Sequence, residues 1–143
     1  MDDDSEGAMH HIELWVPDFE RARDEWGWIL SSLAYETYQT WTNGISWRRG
    51  GLYIVVEESP DLSRREHQRT SAGLNHLAFK AGNRQRVDTL ARESSHHGWS
   101  QLFADKYPHA GGRDHYAAYL ANSDGFEIEL VAAPVRRRAW FPG

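Results

Sequence analysis

Hydrophobic and polar positions alternate near the start of the chain. In HHIELWV, His10 to Val16, the residues Ile12, Leu14 and Val16 fall on one side and His11, Glu13 and Trp15 on the other, which predicts a β-strand. Pro17 ends it, and Asp18 can cap a helix on which Phe19, Ala22, Trp26, Ile29, Leu30 and Leu33 form one apolar stripe. YETYQTW reads as a second strand and Thr42 to Gly44 as a hairpin turn. ISWRR makes a third strand and, after Gly50 and Gly51, LYIVVEE a fourth. Residues 9–60 thus predict a strand, a helix and three strands.

The polar stretch from Asp61 to Gly73 breaks the pattern and predicts a linker over 61–72, with room for a helical turn. Then the order repeats. LNHLAFK is a strand with Leu77 and Phe79 opposite His76 and Ala78. NRQRVDTLARESSHHG is a helix that Asn83 can cap, with Val87, Leu90 and Ala91 inward and Gly98 ending it. WSQLFA reads as a strand and DKYPHAGGRD as a loop, and HYAAYLA and FEIELVA form a hairpin across NSDG. LYIVVEESP overlays on FEIELVAAP and HHIELW on LNHLAF, so 73–134 is a second module of the same βαβββ kind. Residues 1–8 predict a disordered start, and 135–143, with three consecutive arginines, an exposed tail.

In such a module the helix covers one sheet face and leaves the other free. The helix-side set is Ile12, Leu14, Val16, Ile54, Val56, Leu77, Phe79, Ile128 and Leu130. The opposite parity carries His11, Glu13, Trp15, Tyr53, Val55, Glu57, His76, Ala78, Glu127 and Glu129. An antiparallel sheet often wets one face, so this set reads either as a solvated surface or as the lining of a site. Two histidines at equivalent places in two repeats, with a carboxylate of the same parity, put the site reading level with the solvated one. Two imidazoles and one carboxylate hold a divalent transition metal (Fe, Mn, Ni or Zn) while leaving positions for water or substrate.

Composition narrows the function classes. The 143 residues carry a net charge of −5, which argues against a nucleic-acid partner. There is no cysteine, hence no disulfide or thiol chemistry, and no apolar run of membrane-spanning length. The acidic start, MDDDSEGA, is unlike a signal peptide, so a cytoplasmic protein is expected. Seven tryptophans are unusual, and Trp15, Trp41 and Trp47 are candidates for lining a pocket as well as for core packing.

HHIELWVPD, LNHLAFK and YAAYLANSDGFEIELVA together resemble the vicinal oxygen chelate superfamily, the glyoxalase, bleomycin-resistance and extradiol dioxygenase group. The resemblance covers about residues 9–134. It implies an α+β fold of two tandem βαβββ modules forming a concave, partly open mixed sheet, and a chain that dimerises. Its metal positions fall on His11, His76 and Glu129, and a substrate-bonding tyrosine on Tyr119. Glu127 is expected to be a rim or solvated neighbour of Glu129. The position symmetric to Glu129 in the first module is Val55, where glyoxalase I relatives carry a fourth ligand, and Glu57 lies two residues further along the same face. The three-ligand pattern of fosfomycin-resistance transferases and dioxygenases suits the chain better, although the former's potassium loop is not evident. His115, more than His109, could supply the dioxygenases' extra histidine, and Glu13 a general base. Trp15, Trp47 and Glu57 are the expected substrate-pocket residues. The implied function is a metal-dependent enzyme acting on a small molecule with vicinal oxygens. The alternative is a metal-free protein that sequesters a ligand, as bleomycin-resistance proteins do.

Overall fold

The computed structural model describes residues 4–135. The expectations for residues 1–3 and for the arginine-bearing tail over 136–143 lie outside the described residues. The first module runs β1 (His11–Trp15), α1 (Phe19–Ser32), β2 (Glu36–Trp41), β3 (Gly44–Arg49) and β4 (Leu52–Glu57). The second runs β5 (Leu77–Lys80), α2 (Arg84–Glu93), β6 (Trp99–Leu102), β7 (Ala117–Asn122) and β8 (Glu127–Val131). Each builds one four-stranded mixed sheet, ordered β1-β4-β3-β2 and β5-β8-β7-β6, with the first and last strands of the module parallel. The two sheets are open, and neither closes into a barrel. The fold is α+β with a repeated module.

Local chemistry accounts for the ends of the helices. The Asp18 carboxylate accepts from the Arg21 amide at 3.0 Å and Asn83 Oδ1 from the Arg86 amide at 2.8 Å, each satisfying a first-turn donor that the helix cannot. The second helix tightens into a 3₁₀ turn over Ser94–His97 and stops at Gly98, whose φ of +84° belongs to the left-handed region. Between β2 and β3 only Thr42 and Asn43 intervene, since Trp41 pairs directly with Gly44.

One core serves both modules. Leu14, Val16, Ile54, Val56, Ile128 and Leu130 are buried as their parity requires, and Ile12, Leu77 and Phe79 pack at its edge. Trp26 of α1 meets Trp99 of β6 edge-on at 5.1 Å, and the Trp99 indole donates to the Glu25 carbonyl at 3.0 Å. Both indoles are fully buried, and at about 25 cal/mol per Å2 each contributes several kcal/mol to the core that the modules share. Trp47 belongs here too. It pairs with Ile54 on the helix side, is 3% exposed, and lies against Gly27 of α1, so it is a core residue and not a pocket residue. In a two-residue period its neighbours Ser46 and Arg48 take the open face instead.

Candidate functional site

Glu129 occupies the centre of the second sheet's open face. It stands on β8 between Ala78 of β5 and Tyr119 of β7. Its carboxylate holds two imidazoles, one on each oxygen. His76 Nε2 lies 3.0 Å from Oε1, and His115 Nε2 bonds Oε2. Strand geometry supplies His76 and Tyr119, whereas His115 arrives from the long loop before β7.

A second layer orients His76. Asn75 Nδ2 donates to the Arg69 carbonyl at 2.9 Å, which turns Asn75 Oδ1 toward His76 Nδ1 at 2.7 Å. An amide oxygen only accepts, so the proton of a neutral His76 ring sits on Nδ1 and the Nε2 lone pair points at Glu129. Two acceptors 3.0 Å apart need a proton or a cation between them. About 3 Å is also the spacing of two neighbouring ligands each about 2.1 Å from one ion. His76 and Glu129 therefore suit a divalent metal, with an outer partner on the ligating histidine's far nitrogen as metal sites favour. Among the described residues no group of three or more His, Cys, Asp or Glu side chains is arranged so that it could hold a metal ion as it stands.

The two carboxylates of this face are not solvated, and at Glu127 expectation and structure part. Glu129 is 6% exposed and Glu127, the presumed solvated neighbour, 4%. Glu127 is neutralised by Arg69, whose Nη1 donates to Oε1 at 2.7 Å. Arg69 comes from the polar segment between the modules, which lies over the second sheet. Its His67 stacks on Phe126 at 4.4 Å. The loop before β7 closes the other side. Phe103, with a left-handed φ of +54°, sets its ring edge-on to Tyr119 at 5.6 Å. At Gly111 the backbone passes so close that a Cβ would lie 2.5 Å from the Tyr119 hydroxyl. Burial first, then the charge of Glu129 and hydrogen bonding to it, push the Tyr119 phenol above its ordinary value, so it keeps its proton at neutral pH. The polar linker and the glycine-rich loop were the only signals for Arg69 and Gly111, whereas Asn75 lies within LNHLAFK and Phe103 within WSQLFA, where nothing marked either as a site residue.

The first sheet's open face is a different surface. His11 stacks on Tyr53 at 4.8 Å and contacts His10 Nδ1 at 2.9 Å, and it makes no hydrogen bond or ring contact with His76, His115 or Glu129. Glu13 accepts from the Trp15 indole at 2.7 Å. Glu57 accepts from the Trp41 indole at 2.8 Å, which requires Trp41 to lie flat over Gly44, where a Cβ would collide with the ring. Trp15, Glu57, Gly44 and Trp41 make one row across four strands. Trp15, Tyr38 and Trp41 are each about two-fifths exposed, giving an aromatic surface with carboxylates between the rings. The structure thus joins His76, Glu129, His115 and Tyr119 in one site and keeps His11, Glu13, Trp15 and Glu57 on another sheet.

Residues 10–119 match the model of the glyoxalase/bleomycin resistance protein/dioxygenase superfamily. The uncharacterized protein YqjT of Bacillus subtilis (strain 168) is 42% identical over 125 residues, covering 87% of this chain and 98% of that one. A candidate glyoxalase from Bacillus halodurans superposes with a TM-score of 0.85 at 36% identity, over 90% of this chain and 97% of that one. A glyoxalase/bleomycin resistance protein from Albidiferax ferrireducens T118 shares the fold, with a TM-score of 0.70 at 20% identity over 88% and 98% of the two chains. No helix among the described residues is long and apolar enough to cross a membrane. With its repeated βαβββ module and its match over most of its length, the chain belongs to the glyoxalase/bleomycin resistance/dioxygenase superfamily.

Proposed function

We propose that the protein is a divalent-metal-dependent enzyme that binds a small substrate through two vicinal oxygens over the second sheet. The observation that carries this reading is the His76–Glu129 pair, two facing acceptors 3.0 Å apart with the far nitrogen of His76 tied to Asn75. A bound ion would supply Lewis acidity toward the substrate oxygens. The chain's own groups do the rest. Tyr119 offers a phenolic proton to a substrate oxygen at the sheet centre. Arg69 compensates Glu127, which leaves Glu129 as the charge presented to the site. The loop bearing Gly111 and His115 packs against Tyr119 and Glu129 and narrows the approach of water to them, which strengthens these electrostatic contacts.

The third donor is His11 of a second copy in a homodimer, with the first sheet's open face laid over the second sheet of its partner. The aromatic surface around His11 supports this, because exposed aromatic patches of this kind mark interaction faces. His115 is the competing donor.

The experiment is elemental analysis of untagged protein after dialysis against iron, manganese, nickel or zinc, for the native chain and for His76→Ala, His11→Ala and His115→Ala. About one ion per chain, lost in His76→Ala and His11→Ala and kept in His115→Ala, is the expected result. Loss in His115→Ala with retention in His11→Ala would move the third donor to His115. A native chain that takes up none of the four ions would overturn the enzyme reading. The ligand-sequestering alternative would then stand on Trp15 and Trp41 beside Glu13 and Glu57.

A further inference from the structure

A separate cleft opens at the seam between the modules. The end of α1, Tyr35, the end of β3, the end of β5 and the start of α2 enclose a cavity of about 460 Å3. Its charged lining residues are Arg49, Lys80 and Arg86, and no carboxylate lines it. None of the three cations makes a salt bridge among the described residues. In a chain of net charge −5 this is a local reversal of sign. Three like charges around one cavity repel each other, and a bound anion would relieve that repulsion. Arg86 is held at the wall because one guanidinium nitrogen donates to the Ser32 carbonyl at 3.2 Å, which leaves its other donors free. Tyr35 is half-buried at the same wall, and its hydroxyl makes no hydrogen bond among the described residues.

We propose that the seam cleft binds a small oxyanion, the phosphate or carboxylate group of a metabolite, with Arg49, Lys80 and Arg86 as counter-charges and Tyr35 as a neutral donor. Both oxyanions match the guanidinium fork, and lysine adds a point charge suited to either. The cavity has the volume of a small-molecule site. Arg49 comes from the first module and Lys80 and Arg86 from the second, so the anion bridges the two. The proposal does not rest on a metal at Glu129.

The test is titration of isotope-labelled protein at low ionic strength with inorganic phosphate and, separately, with succinate, read by amide chemical shifts. Saturable shifts at Tyr35, Ala81 and Gly82 are expected for at least one anion. Saturation by phosphate alone or by succinate alone names the group. The Arg49→Gln/Lys80→Gln double variant should weaken the response by about tenfold or more, as two charge-assisted contacts are lost. Arg92→Gln, an exposed cation of α2 outside the cleft, should leave it unchanged. All three cleft cations are exposed, so the variants keep the fold, and the rest of the spectrum reports this directly. Repeating the titration in His76→Ala separates the outcome from that of the metal site. No saturable shift with either anion, shifts centred elsewhere, or an equal loss in Arg92→Gln would overturn the proposal.

Discussion

Glu127 and Glu129 lie two residues apart on one strand and are equally buried, yet they have unlike partners. Arg69 neutralises Glu127, whereas Glu129 faces two imidazoles. Removing one partner of a buried pair leaves an uncompensated charge, and that costs more than the pair itself contributes. Arg69→Met should therefore destabilise the protein by about 2–3 kcal/mol, less than for a wholly buried pair because Arg69 keeps 30% of its side chain in water. Denaturant unfolding measures this, and adding Glu127→Gln should recover at least half of the loss. If the double variant is no more stable than Arg69→Met alone, the ion pair is not what holds the linker down. Alternation along FEIELVA put both carboxylates on the open face, and the same reasoning set out the buried parity from Ile12 to Leu130. What alternation cannot show is a cover. Burial of Glu127 depends on a segment 58 residues away in sequence, and Arg69 looks like any surface arginine in a polar run.

At the scale of elements, the loop before β7 is tied to α2 through one carboxylate. Asp88 Oδ1 accepts from Tyr116 Oη at 2.6 Å and from Tyr107 Oη, so the two ends of the loop's last stretch converge on one residue. These two donors hold the Asp88 carboxyl below its ordinary value, and burial of Tyr107 together with its bond to Asp88 pushes that phenol up. A carboxyl whose folded value is depressed stabilises above its unfolded value, and the contribution is lost as pH falls through the folded value. Loop anchoring should accordingly be full above about pH 4 and fail only below it. Asp88→Asn should lose about 1–2 kcal/mol of local stability at neutral pH by replacing charged acceptors with neutral ones. Faster proteolytic cleavage between Phe103 and Tyr116 than in the native chain would show it, and equal rates would contradict it. Helix, strand and hairpin signals located every element flanking this loop, but not how it folds back. Its contacts come from aromatic hydroxyls on Asp88, a position the helical pattern marks only as polar.

Across the whole molecule, α1 of the first module is clasped to the β7–β8 turn of the second. Glu25 is 5% exposed, and its carboxylate accepts from the Ser123 amide at 3.2 Å and from the Ser123 hydroxyl. Next to it Arg21 pairs with the buried Asp124. The Glu25 side chain also packs over Gly98, where a Cβ would collide with the carboxylate. Burial raises the Glu25 carboxyl above its ordinary value despite the two hydrogen bonds from Ser123, which pull the other way. The sign follows from linkage. With the folded value raised, the contribution of Glu25 is complete below its unfolded value, near pH 4.5, and declines as pH rises through the folded value. Glu25→Gln carries no such dependence, so its melting temperature relative to the native chain should climb between pH 4.5 and pH 8. The expected climb is a few degrees, the size that about 1 kcal/mol produces in a domain of this length. Taking the difference between variant and native chain removes the opposing slope from Asp88 and every other carboxyl. A difference that falls with pH would mean that the Ser123 bonds outweigh burial and that the clasp prefers its charged form. A flat difference would place the carboxylate in water, and the two modules would then be joined by Trp26 and Trp99 without it.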